Sequence, residues 1–379
     1  MIASQNNEGQ AGLKNILLDQ SLCTNCTACV NLCPYMDHHQ DHTVILHNCD
    51  QTLGRCSRYC PRTPTDLNAL QQSLFEPADI TPEIGAFKGL YITRAADVKI
   101  RENAQHGGTV TALMTLALHE GIIDEAILAG KGNQFLADSN CVKTSDDIFS
   151  KAGSQFVTAP TVATFNEVSA GDSHKIGVVA TPCQSLALAK MKVNALETDR
   201  ERVDKLKLVI SLFCGWTLDW KKMTALLKNK IGDVKIQGID IPPSKHACME
   251  VYTDSGILEI SIDEVNECVR DNCKYCFDMT GEFSDISVGS ARSSEGWSID
   301  KKWNQVIVRT RLGQKMLDLA RKHQILEFKD VPPENLDKLK NASMNKKQQC
   351  IKALIEKSGS PNDLIYLDIR DPMVKAIRP

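Results

Sequence analysis

Four cysteines, Cys23, Cys26, Cys29 and Cys33, fall close together and Pro34 follows them. Their spacing, C-x2-C-x2-C-x3-C-P, is one with which iron–sulfur cubes are held. Three thiolates on one tight loop reach three corners of a single cluster, and the fourth cysteine points at a different one. A later run, Cys49-x6-Cys56-x3-Cys60-Pro61, supplies complementary thiols. The crossing rule sends Cys60 back to complete a [4Fe-4S] set of Cys23, Cys26, Cys29 and Cys60. Cys33, Cys49 and Cys56 remain for a second cluster. A symmetric arrangement would put its first two ligands at 50 and 53, where Asp50 and Leu53 stand. The second site is therefore expected to be [3Fe-4S], or [4Fe-4S] with an outside ligand such as Asp50.

A second constellation is spread along the chain. Cys183 and Cys214 each follow an apolar run that reads as a strand, and Cys273-Lys274-Tyr275-Cys276 precedes another at Asp285 to Gly289. In an open α/β sheet the ends of strands are where ligands bind. Four thiolates converging there could hold a further cube. A rival set, Cys268-x4-Cys273-x2-Cys276, has the C-x4-C-x2-C spacing of a [2Fe-2S] site, but no fourth ligand can be picked out. Cys141, Cys248 and Cys350 read as structural. His38, His39, His42 and His47 lie among Asp and Gln and read as a solvated loop rather than a metal site. Gly107-Gly108 opens an apolar-periodic helix, where backbone N–H groups can face a phosphate or simply make a tight turn. No G-x-G-x-x-G follows a strand, and no P-loop is present, so neither of those nucleotide sites is expected.

The elements that must position these residues alternate from Gly89 onward. Strands are expected at 89–94, 126–129, 176–180, 206–213, 285–289 and 304–309, with a hairpin over 250–260 around Asp254-Ser255-Gly256 and helices between. Ile16-Leu17-Leu18 reads as a short strand entering the first cysteine loop. Residues 61–88 carry four prolines around a short helix, and 76–88 reads as a tether. The organisation expected is a frayed tail over 1–15, an iron–sulfur unit over 16–75, a linker over 76–88, an α/β core over 89–330 and a helical tail over 331–379. Fifteen cysteines without a signal-peptide pattern favour a cytoplasmic protein whose thiols serve clusters rather than disulfides. A net charge of −3 gives no basic field for nucleic acid, and no apolar run reaches the length of a membrane span.

With these pieces placed, the chain resembles the beta subunit family of coenzyme F420-reducing hydrogenases and formate dehydrogenases. The matching stretches are Gly107 to Leu113, Ala180 to Gln184, Leu212 to Gly215, Cys273 to Cys276, Asp285 to Ser290, Gly296-Trp297 and Val306 to Thr310. A C-x3-C-P run after a long gap is similar to that of seven-iron ferredoxins. The resemblance implies an FAD-containing mixed-sheet α/β core preceded by a small ferredoxin-like iron–sulfur domain. It implies a core [4Fe-4S] cluster on Cys183, Cys214, Cys273 and Cys276. It makes Gly107, Gly108, Thr109, Thr181, Pro182 and Gln184 candidates for holding the flavin, with the Thr109 hydroxyl either donating to a phosphate or capping its helix. The implied activity is oxidoreductase electron transfer between a hydride carrier (F420 or NAD(P)) and a formate dehydrogenase, hydrogenase or heterodisulfide-reductase-like subunit. Alternatives are a stand-alone ferredoxin-dependent reductase of the same superfamily and a flavin-free connector.

Overall fold

The computed structural model describes residues 9–52, 54–132, 135–232, 234–242, 248–292 and 296–378. The front of the chain contributes a hairpin, β1 (Met36–His39) and β2 (His42–Ile45), and a two-residue pair, β3 (Ile80–Thr81) and β4 (Gly85–Ala86). The core follows with β5 (Gly89–Ala95), β6 (Glu125–Lys131), β7 (Ala137–Val142), β8 (Ile176–Ala180) and β9 (Leu206–Leu212). An insertion supplies β10 (Ile236–Asp240), β11 (Cys248–Thr253) and β12 (Gly256–Ser261), and the core closes with β13 (Ile286–Ser290), β14 (Asn304–Val308) and β15 (Leu326–Lys329).

Eight strands form one mixed sheet in the order β15-β5-β14-β13-β9-β8-β6-β7. Four neighbours, β13, β9, β8 and β6, are parallel, and β14, β15 and β7 join antiparallel. Period-two alternation explains how both faces are buried. On β8, Ile176, Val178 and Ala180 pack against helices Thr161–Val168 and Pro182–Asn194, while Val179 faces the opposite core. That second core is closed by Leu113 and Met114 of helix Thr109–His119 and by Met316 and Leu317 of helix Arg311–Lys322. The expected hairpin is β11–β12, extended by β10 into a separate three-stranded sheet.

The front half packs on the sheet rather than hanging from it. Cys26, Ala28 and Tyr59 share the core of Phe165, Leu188 and Met191. Leu13, Leu17 and Leu70 from the front meet Phe277 and Phe283 from the core, and Ile351, Leu354 and Tyr366 from the tail, in a single apolar cluster. The expected strand at 16–18 is instead helical, continuing from Gly9–Leu13 through Lys14–Leu18. Leu13 and Leu17, one helical turn apart, both reach that cluster, which favours the helix. The 76–88 segment is clasped. Fully buried Arg309 donates to the carbonyls of Ile84 (2.5 Å) and Ala86 (2.8 Å), and Lys347 of the 25-residue tail helix Glu334–Ser358 donates to Pro82 (2.7 Å).

The hairpin is tied to the core by an ion pair removed from water. Asp41 on the β1–β2 turn accepts from Arg270 at 2.6 Å, and both side chains are nearly inaccessible. Burial alone would raise the Asp41 carboxyl. Hydrogen bonds from His42 and the Trp220 N–H, with the Arg270 charge, win and hold it at about 2. Its contribution to stability is therefore complete above about pH 4 and is lost as pH falls through 2. Asp41→Ala leaves the guanidinium buried without its counter-charge. We expect it to lower the unfolding free energy of the anaerobic full chain by about 3–5 kcal/mol, read from the denaturant midpoint. An unchanged midpoint would show that the hairpin does not depend on the pair.

Candidate metal centres and cavity

The first cysteine loop is built on unusual backbone. Asn25, Thr27 and Asn31 all have positive φ, at 52°, 61° and 60°. Non-glycine residues hold that conformation only where surrounding contacts enforce it. Here the contacts come from helix Thr161–Val168. Asn166 donates to the carbonyls of Ala28 and Val30, Asn31 donates to that of Ala163, and the Ala163 N–H donates to the Thr27 hydroxyl. The strained loop turns amides toward sulfur: the Asn25 N–H lies 3.4 Å from Cys23 Sγ. Similar bonds run from the Arg62 N–H to Cys60 Sγ (3.4 Å), from Gln51 to Cys49 (3.5 Å) and from Thr217 to Cys273 (3.3 Å). Amides so placed stabilise charge on a ligating thiolate.

The thiols fall into three groups that perturb one another. Cys26 and Cys29 feel Cys23 and Cys60, and Cys56 feels Cys33 and Cys49. Cys214 feels Cys273, Cys183 and Cys276. Two links join the groups in a row, Cys56 acting on Cys29 and Cys26 acting on Cys183. The outer group reaches the surface at exposed Cys33. Burial, reinforced by neighbouring thiols, pushes Cys26 and Cys183 up to about 12. Such sulfurs stay protonated unless a metal takes them, which releases the protons. Among the described residues no three His, Cys, Asp or Glu side chains are placed to hold a single metal ion.

Other cysteines lie elsewhere. Cys268 is buried with Leu218 and Met223, and the groups that perturb it are Lys222, Glu267, Asp219 and Glu264, none of them a thiol. Cys141 donates to Glu125. Cys248 stands on β11 facing Glu259 and Glu250, and Cys350 lies against Tyr366 on the tail helix. His42 pairs with Asp41, and Asp50 stands exposed beside Cys49.

Gly107, Gly108 and Thr109 sew a helix to the sheet. A Cβ on Gly107 would come within 2.8 Å of Asn304 Oδ1, and Gly108 is left-handed (φ 77°) as the helix cap. Asn304 Oδ1 accepts from the Thr109 N–H at 3.1 Å, and the Thr109 hydroxyl bonds that of Thr93 at 2.8 Å. The hydroxyl therefore neither caps the helix nor faces open space. Thr181, Pro182 and Gln184 form the first turn of helix Pro182–Asn194. Gln184 closes a capping box with Thr181 and reaches the Ala159 carbonyl at 2.7 Å, which fixes Cys183 between them.

At the carboxyl edge of the parallel strands opens a cavity of ≈ 1290 Å³, whose lining includes none of Gly107, Gly108, Thr109, Thr181, Pro182 and Gln184. It exceeds the roughly 300–1,000 Å³ usual for a small-molecule site. Gln105 and His106, just before the paired glycines, line it, with Lys131 at the end of β6, Phe156 and Val157, the insertion from Ile236 to Asp240, and Lys301-Lys302 before β14. Seven Lys and Arg side chains line the space against the carboxylates of Glu102 and Asp240, so it favours an anionic ligand. The wall at 156–159 continues to the thiols: Phe156 accepts from the Leu218 N–H, four residues after Cys214, and Ala159 accepts from Gln184. The volume, charge and edge position fit a dinucleotide.

Comparison with known proteins gives this arrangement a family. Residues 90–166 match the N-terminal model, and residues 173–334 the C-terminal model, of the coenzyme F420 hydrogenase/dehydrogenase beta subunit. The chain belongs to that family. It is similar to the coenzyme F420 hydrogenase subunit beta of Methanothermobacter thermautotrophicus, 31% identical over 71% of this chain and 94% of that one. It is also similar to the coenzyme F420-dependent sulfite reductase of Methanocaldococcus jannaschii, 25% identical over 86% of this chain and 50% of that one. Among solved structures, a chain of the F420-reducing [NiFe] hydrogenase complex from Methanosarcina barkeri superposes with a TM-score of 0.66 at 25% identity, covering 77% of this chain and 98% of that one. The F420 hydrogenase/dehydrogenase models span the cavity loops and the inner thiols, and the front cysteines precede them.

Sequence reasoning missed the cavity walls and two buried cations, Arg62 and Lys190. Lys190 carried a signal, a lysine amid Leu186, Ala187, Leu188, Ala189 and Met191. For the thiol groups we expect Cys214→Ala to lose about four irons per chain and Cys268→Ala to lose none, measured as iron and sulfide on anaerobic protein. The reverse pattern would move the inner site to the C-x4-C-x2-C set.

Proposed function

We propose that this chain is the iron–sulfur flavoprotein electron-transfer subunit of an F420-linked oxidoreductase. It would exchange hydride with coenzyme F420 at the cavity, and single electrons with a catalytic hydrogenase, formate dehydrogenase or sulfite-reducing partner. The observation that carries this reading is the row of three thiol groups running inward from exposed Cys33 to Cys183, in a fold whose strand ends also frame a basic cavity. The names of relatives support it: a coenzyme F420 hydrogenase subunit, an F420-dependent formate dehydrogenase subunit and an F420-dependent sulfite reductase.

FAD, when bound, supplies exchange between hydride and single electrons, and iron–sulfur clusters carry electrons one at a time. The protein's own residues do the rest. Lys131, Lys301 and Lys302 attract the phosphates of the dinucleotide and the anionic carrier. Phe156 and Val157 give the cavity an apolar wall, and the Phe156 carbonyl ties it to the Leu218 N–H on the loop after Cys214. Cys183, Cys214, Cys273 and Cys276 would hold a cube, as would Cys23, Cys26, Cys29 and Cys60. Cys33, Cys49 and Cys56 would hold the outermost cluster, a [3Fe-4S] site on those three thiolates or a [4Fe-4S] site with Asp50 as well.

Reduced F420 added to the anaerobic chain should bleach the bound flavin and then raise cluster signals in electron paramagnetic resonance, while NADPH should do neither. Bleaching by NADPH alone would make the carrier a nicotinamide. Cluster reduction by reduced ferredoxin, without response to either carrier, would favour the ferredoxin-dependent reductase.

A further inference from the structure

Two cations are buried beside the thiols with no carboxylate to balance them. Arg62 and Lys190 are 4% and 3% exposed. Among the described residues neither forms an ion pair with Asp or Glu, unlike buried Arg270, which pairs with Asp41, and buried Lys347, which pairs with Glu282 at 2.6 Å. Lys190 Nζ donates only to neutral oxygens, the Cys60 carbonyl (2.6 Å) and the hydroxyls of Thr63 (2.8 Å) and Thr65 (2.7 Å) being the nearest. Arg62 donates to the carbonyl of Tyr275, next to Cys276, and to that of Asn272, next to Cys273, and it lies over the Tyr366 ring. An unpaired charge out of water is costly, so a buried cation implies an anion close by.

The thiols facing these cations identify the anion. The side chains acting on Lys190 are those of Cys60 and Cys26, in the front set. Arg62 faces Cys276 and Cys183 in the inner set, and acts on Cys23 and Cys60 in the front set. Lys190 also stands on helix Pro182–Asn194, about 10 Å along its axis from Cys183 in the first turn. The two cations thus occupy the junction between the inner and front groups.

We propose that Arg62 and Lys190 are positioning residues whose fixed positive charges set the reduction potentials of the two inner clusters, Lys190 acting on the front cluster and Arg62 on both. The proposal rests on the ligand sets given above. Reduction adds one electron, hence one negative charge, to a site, and no bond forms or breaks. A cation held in low dielectric stabilises the added charge and raises the potential. Because their donors bind backbone and hydroxyl oxygen, neither cation can swing away to solvent.

The test is a redox titration of the anaerobic full chain at pH 7, with dithionite as reductant, read by electron paramagnetic resonance at matched iron content. For Lys190→Gln we expect the reduced-to-oxidised ratio of the front cluster at fixed potential to fall about tenfold, a shift of about 59 mV for one electron, with a smaller shift at the inner cluster. Arg62→Gln should lower both, and Arg62→Lys, which keeps the charge, should restore both toward wild type. Wild-type potentials in both glutamine variants at full iron would overturn the proposal and leave the ligand sets intact. Equal shifts for Arg62→Lys and Arg62→Gln would overturn it as well. Iron lost from every variant, whether or not the charge is kept, would make these side chains structural props. An inner site without iron in the wild type would instead remove the ligand reading itself.

Discussion

The structure depends on seating one helix, Pro182–Asn194, between the sheet and the cysteine-rich front. Its first turn presents Cys183 through the Thr181–Gln184 capping box. Two turns on, its buried ammonium grips the Cys60 carbonyl. A charged group so buried cannot be left unsatisfied, so the position of the front half relative to the core is fixed by hydrogen bonds rather than by apolar contact alone. Apolar surfaces can slide, whereas four oxygen partners around one nitrogen hold a register.

The rest of the chain closes around that junction. Arg270 and Asp41 hold the front hairpin, and Arg309 and Lys347 clasp the 80–86 stretch. The tail helix lays Cys350, Ile351 and Leu354 on the same apolar cluster as Leu17, Leu70 and Phe277. These parts lie far apart in sequence, yet each buries groups that another part must satisfy. The result leaves Cys60, Cys183 and Cys276 only partly accessible and the opposite end, at Cys33, at the surface. That gradient, from half-buried thiols to an accessible rim, suits the proposed electron path.

Much of this was legible where chemistry is local. The Cys23 to Cys33 run is dictated by short spacing, and Cys183 and Cys214 stand out because each follows a largely apolar strand. The α/β core followed from strands alternating with helices, and its mixed sheet from the family resemblance. What could not be read depends on contacts between distant segments. Leu17 is helical because Leu13 shares its apolar pocket, a tertiary effect that outweighs a β-prone Ile-Leu-Leu triplet. Thr109 looked available for a phosphate, but its hydroxyl is taken by Thr93, sixteen residues earlier on β5. The cavity is walled by six separate stretches, and its basic character emerges only when Lys131, Lys228 and Lys301 are brought to one space.

The most direct test of the central claim is an anaerobic inventory of iron, sulfide and released flavin per chain, with cluster types read by electron paramagnetic resonance. The account predicts one FAD with about eleven or twelve irons, eleven being accompanied by a [3Fe-4S] signal in the oxidised state. Protein with iron for the front clusters alone and no flavin would contradict it and leave an electron connector.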